Sequence, residues 1–155
     1  MTTSFLRIVF VMGLLRQALG TQQLPPSQVI TSLALFMTLA VMAPVFNEIK
    51  DEAILPYIEN QQEMSWDVAW ERGTRPLKQF MSRQIERADN SEDVWLFYRY
   101  LPQDEQENMP ETYDDVPFQV LLPAFMISEL KVAFLIGFQI YLPFLVIDIV
   151  VSSVT

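Results

Sequence analysis

The sequence predicts an all-α, multi-pass membrane protein in which apolar helical hairpins carry a small helical insert outside the cytoplasm. Three observations predict it. Hydrophobic residues make up 51% of the 155 positions, with a mean hydropathy of +0.22, more than one modest soluble domain needs for its core. Charge is strongly segregated: residues 1–46 carry only Arg7 and Arg16, residues 118–155 only Glu129, Lys131 and Asp148, and residues 47–117 hold 17 acidic and 7 basic side chains. Within that middle block the apolar residues recur at helical spacing, not in alternation. The expected units are therefore an apolar helical hairpin over residues 1–46, an acidic soluble helical domain over residues 47–117 and a long apolar helix over residues 118–155.

The first apolar stretch, residues 5–19, is shorter than the roughly 20 residues that span the hydrocarbon core. Arg7 and Arg16 also interrupt it. A secretory leader would use Arg7 as its charged region, yet Arg16 and Gln17 break the approach to the small residues at Ala18 and Gly20. The favoured reading is the second half of a longer hydrophobic helix. Adjacent Pro25 and Pro26 then make residues 20–27 a polar connector, because proline has no amide donor and disfavours helix in the residue before it.

Ser27 is the expected N-cap of a helix over residues 29–46, a charge-free run that rises roughly 27 Å at 1.5 Å per residue. Phe46, Ile49, Ala53, Ile54 and Tyr57 continue the helical stripe opposite Glu48, Lys50, Asp51 and Glu52, so the helix extends into water until Pro56 ends or bends it. Trp66, Ala69 and Trp70 form a second stripe. Leu77, Phe80, Met81 and Ile85 form a third behind Pro76, which suits the first turn of a helix. Ser91 caps a fourth with Val94, Phe97, Tyr98 and Leu101 inward. Residues 102–115 read as an acidic loop, and Asp114 or Asp115 caps the last apolar helix, residues 118–147, with kink sites at Pro123 and Pro143.

Composition excludes most chemistry. With no histidine and no cysteine, the chain lacks the commonest zinc ligand, the neutral-pH proton shuttle and any thiolate site. Its 4 glycines stand at positions 13, 20, 73 and 137, so no phosphate-cradling loop can be written and no cofactor is expected. The acids of residues 104–115 lack the ligand alternation and mid-loop glycine of a calcium loop. The acidic block repels phosphate, which argues against nucleic acid as a partner. A serine–lysine pair at Ser128 and Lys131 is the one nucleophile arrangement available, and helix packing explains that spacing equally well.

Glu129 and Lys131 carry the most information, since ionised groups within an apolar helix require partners or water. Two positions apart on a helix, they point about 200° from each other and do not pair together. Each needs a partner on another helix. Ser128, Lys131, Leu135 and Gln139 share one face, while Phe125, Glu129, Val132 and Ile136 share another. One reading is an interfacial pair reaching toward water; the sharper one makes Ser128, Glu129, Lys131 and Gln139 polar packing positions between subunits around a conduit.

Two stretches resemble the FliP family of flagellar export-gate proteins and its virulence-associated type III secretion relatives. The first is Leu14-Leu-Arg-Gln-Ala-Leu-Gly-Thr-Gln-Gln-Leu-Pro-Pro, running on through Met42-Ala-Pro-Val-Phe-Asn-Glu-Ile49. The second joins Leu122-Pro-Ala-Phe-Met-Ile-Ser-Glu-Leu-Lys131 to Leu142-Pro-Phe-Leu-Val-Ile-Asp-Ile-Val-Val-Ser-Ser153. The resemblance implies several copies assembled with FliQ-like and FliR-like proteins in the bacterial inner membrane, at the flagellar basal body, forming an export gate for unfolded substrates without catalysis. It places residues 50–115 at the family's periplasmic domain. It also implies a chain truncated at both ends, since family members carry more of the first hydrophobic helix and continue past Val154 into a methionine-rich loop. The alternatives are a membrane-anchored module whose acidic domain binds a basic partner, or a non-functional fragment. Arg16 beside the connector favours a cytoplasmic connector by the positive-inside tendency.

Overall fold

Apolar and acid-rich segments alike form helix. The computed structural model describes residues 2–20, 25–59, 64–102 and 110–155, and no strand occurs among them. In chain order the elements are α1 (Phe5–Ala18), α2 (Ser27–Ile49), a widened π turn (Lys50–Ile54), α3 (Leu55–Glu59), α4 (Trp66–Arg87), α5 (Ser91–Tyr98), a single 3-10 turn (Tyr113–Asp115) and α6 (Phe118–Val154). Among the described residues two continuous stretches are long and apolar enough to cross a membrane: Ser27–Glu59, 33 residues, and Phe118–Val154, 37 residues, each holding an 18-residue window with a mean hydropathy of 2.2. At 1.5 Å per residue α6 is about 55 Å long.

Several expected boundaries move, each for a local reason. Pro26, not Ser27, holds the N-cap position of α2, and no side chain caps there; its fixed φ of −56° already directs the chain into the helix. Pro56 does not end the helix. In a regular turn its ring would meet the carbonyl of Glu52, and the backbone instead widens over Lys50–Ile54, where Leu55 N–H bonds to Lys50 O. Pro76 lies inside α4, so the two stripes read on either side of it are one helix, begun by Ser65, whose Oγ accepts from Val68 N at 3.5 Å. The missing amide at Pro76 is tolerated because its ring is wholly buried in a stripe with Ala69, Phe80, Met81 and Ile85. Asn90 takes the cap position expected of Ser91. The chain reverses just before it at Asp89, in the left-handed region at φ 55°, and Asn90 N–H bonds back to Ile85 O at 3.1 Å. Asp114 and Asp115 form the 3-10 turn and Pro117 precedes α6, which continues to Val154 instead of stopping near Ile147.

The acidic residues 104, 105 and 107 and residues 21–24 of the connector lie outside the described residues. Among the described ones no cluster of acids has metal-ligand geometry.

α6 is the spine on which α1, α4 and α5 lie, while α2 packs on α1 and α4. The main core joins Met42 and Val45 of α2, Phe80, Met81 and Ile85 of α4, Val94 and Tyr98 of α5, and Val120, Leu121, Ala124 and Phe125 of α6. It crosses both sequence positions, 46 and 117, at which hydropathy changes. The middle block's helices thus bury their apolar stripes on the ends of the two long helices, as amphipathic helices must. Past Ala133 and Gly137, α6 turns apolar side chains outward: Phe134, Leu135, Phe138, Val146, Ile147 and Val150 are all more than half exposed, a surface far larger than a water-soluble helix carries.

Gly137 lets α1 approach α6. A Cβ there would meet the Leu14 side chain, with Leu14 Cβ and Cγ both at 3.1 Å. Gly137→Leu should therefore overpack the contact and lower stability by about 1–3 kcal/mol, measured as the midpoint of denaturation in detergent micelles. Gly13, with open space around its Cβ position, should accept alanine without loss.

Candidate functional site

Three polar contacts meet α6 within a single turn, and each draws its partner from another helix. Ser128 and Glu129 are buried there, while Lys131 sits at the edge with its side chain half exposed. Arg7 of α1 donates from Nη2 to Glu129 Oε1 in a close ion pair. Lys131 Nζ donates to both carboxylate oxygens of Asp93, at 2.6 and 2.9 Å. Asn90 donates from Nδ2 to Ser128 Oγ at 2.9 Å.

Local sequence explains how the partners arrive. The left-handed residue Asp89 turns the chain sharply out of α4, so Asn90 and Asp93, one helical turn apart, face Ser128 and Lys131, also one turn apart on α6. Tyr113 OH donates to Ser91 Oγ at 3.0 Å and ties the following loop to the start of α5. On the other side of α6, α1 runs parallel to it, and the contacts advance in step: Arg7 with Glu129, Phe10 edge-on to Phe134 at 6.2 Å, and Leu14 over Gly137.

The divergent directions read from the sequence are realised. Glu129 looks toward α1 and Lys131 toward α5, so their ions are neutralised separately. Both partners come from the same chain. Glu129 is 1% exposed, and a carboxylate so buried is held by its cation or not at all. The guanidinium is engaged through Nη2, while Arg7 Nε is buried without an acceptor among the described residues. Ser128 and Lys131 do not act on each other: the serine receives from Asn90 and the lysine is occupied by Asp93. The weak serine–lysine reading therefore loses its geometry. Gln139, the last of the four polar positions, is exposed, and makes no hydrogen bond among the described residues.

Sequence reasoning missed Arg7, Asn90 and Asp93 as partners. Arg7 carried a signal: a lone cation in one apolar segment and a buried acid in another form a neutral pair across helices. Asp93 had none, lying among 17 acids of the middle block.

Asp93 is the buried member of its pair, at 8% side-chain exposure against 53% for Lys131. Lys131→Met should cost about 1–2 kcal/mol, at the low end for a charge-assisted bond because water already screens the ammonium. Asp93→Asn with Lys131→Met should recover most of that loss in the same denaturation assay.

The whole of this framework, residues 1–155, matches the FliP family. The chain belongs to the FliP family. Among its relatives, the flagellar biosynthetic protein FliP of Caulobacter vibrioides is 51% identical over 156 residues, covering 99% of this chain and 54% of the relative. FliP of Pectobacterium carotovorum is 50% identical, covering 99% and 56%, and FliP of Bacillus subtilis is 45% identical, covering 98% and 64%. The chain thus spans 54–64% of the length of these three FliP proteins. These relatives are named for flagellar biosynthesis.

Proposed function

We propose that this chain is a subunit of the export gate of the flagellar type III secretion apparatus, building part of the channel for unfolded substrates. The observation that carries the reading is the family match along all 155 residues. In this reading the apolar hairpin of residues 1–46 and the helix of residues 118–155 lie in the bacterial inner membrane, within the flagellar basal body. The acidic residues 47–117 stand in the periplasm.

Several copies assemble with FliQ-like and FliR-like proteins, and the polar turn of α6 sits where helices of the assembly meet. Ser128, Glu129, Lys131 and Gln139 are its packing positions. One observation supports that use: Gln139 is exposed among apolar neighbours, where an assembled neighbour would satisfy its amide. The gate moves substrate by conformation and an external energy source, so it needs no cofactor and no nucleophile.

Co-expression with FliQ-like and FliR-like proteins tests the proposal. A detergent-stable oligomer containing all three is expected. Recovery of this chain as monomer alone, with both companions folded and present, would overturn it.

A further inference from the structure

The continuous helix that runs from α2 through the π turn into α3 lies antiparallel to α4 along one seam. Ile49 and Leu77 line one end of it, Ala53 meets Gly73 midway, where a glycine Cβ would lie 3.4 Å from Ala53 Cβ, and Tyr57 is edge-on to Trp66 at 6.0 Å beyond. These contacts put the two helices on a common height scale. Counting from Ala53 and Gly73 at about 1.5 Å per residue, Glu52 is level with Thr74 and Glu48 with Lys78.

At about 100° per residue, Glu48 and Glu52 turn away from the seam on one helix, and Arg72 and Arg75 turn away from it on the other. All four are exposed, and none forms an ion pair among the described residues. Of the neighbouring charges, Lys50 is taken by Asp51 at 3.5 Å, while Glu71 stands one turn before Arg75 without pairing to it. The two packed helices thus show an acidic pair on one outer face and a basic pair on the opposite one. Arg72 stands within two residues of the height of Glu52, and Arg75 within three of that of Glu48, offsets of about 3 and 4.5 Å that an arginine side chain spans.

Height chooses the occupant. Copies inserted in one membrane share its normal, so a rotation that relates them keeps every residue at its own level. The acidic pair of one copy then meets the basic pair of the next without either chain having to slide. An unrelated partner would have to reproduce both the spacing and the level. We propose that Arg72 and Arg75 of one copy dock on Glu52 and Glu48 of the next, in a head-to-tail contact that repeats around the assembly. This rests on the reading that several copies assemble. Exposed ion pairs add little affinity each, so the contact fixes which faces meet and in what register.

The chain has no cysteine, so introduced thiols report contacts between copies directly. Two differently tagged forms are co-expressed with the FliQ-like and FliR-like proteins, one carrying Leu55→Cys and the other Glu71→Cys. Both positions are exposed, level across the seam and on the two charged outer faces. Oxidation of isolated membranes should give the 55–71 disulfide between copies at about three times or more the yield of the 55–55 and 71–71 products. Arg72→Glu with Arg75→Glu in the second form should lower that yield about threefold or more, and Glu48→Lys with Glu52→Lys in the first should restore it. Because every substituted side chain is exposed, each form should keep the helical content of the parent by circular dichroism. An assembly without the 55–71 product, one dominated by 55–55 or 71–71, or a 55–71 yield indifferent to charge reversal would overturn the docking faces and leave the export-gate reading standing. Monomer alone, with both companions folded and present, would overturn both.

Discussion

Glu129→Ala should destabilise the chain by about 3–5 kcal/mol, since it strands the Arg7 guanidinium in a site built for a neutral pair. The contact is close and the Arg7 side chain left behind is only 27% exposed, so solvent replaces only part of the lost partner. Arg7→Met combined with Glu129→Leu should behave differently. With both charges gone, the α1–α6 contact becomes an apolar one flanked by Phe10 on Phe134 and Leu14 on Gly137, and the double variant should recover most of the loss. Denaturation of the parent, both single variants and the double in one detergent gives the coupling directly. A Glu129→Ala loss below about 1 kcal/mol would mean that the pair contributes no more than a surface contact.

Phe125→Ala should cost about 3–5 kcal/mol by a separate mechanism, the cavity left in a packed interior. Its side chain is fully buried, edge-on to Phe80 at 6.1 Å, at the point where α2, α4, α5 and α6 share one core. Phe134, nine residues further along the same helix, is 56% exposed. Phe134→Ala removes the same atoms and should cost well under half as much, because little of its surface leaves solvent or detergent on folding. The contrast separates the half of α6 that belongs to the chain's own core from the half that faces outward.

How far the sequence carried depended on how local the signal was. Helix was legible because Leu77, Phe80, Met81 and Ile85 repeat at the helical period, and the spans because residues 29–46 carry no charge at all. Prolines misled. Pro56 and Pro76 carry breaker chemistry in any sequence, yet a π turn absorbs one and burial within α4 absorbs the other; both are tertiary effects that outweigh a local penalty. Caps slipped where proline or a left-handed aspartate set the entry angle, by one residue at Pro26 and Asn90 and by two or three at Pro117.

At the candidate site, the need for partners followed from desolvation and the opposed directions of Glu129 and Lys131 from helical geometry. Which residues answered did not, since Arg7 is 122 positions from Glu129 and Asp93 is 38 from Lys131, separations no spacing rule covers. The middle block read as a separate unit because charge changes at residues 46 and 117. Its apolar stripes look inward to Met42, Val45 and Phe125 on the flanking helices, a fact of packing that charge does not report.

Everything rests on apolar helices that are covered by lipid and not by the chain itself. Alkaline carbonate extraction of cell membranes containing the chain addresses this most directly. The chain should remain in the membrane pellet and need detergent for release; full recovery in the carbonate supernatant, followed by a folded and monodisperse state in plain buffer, would contradict it.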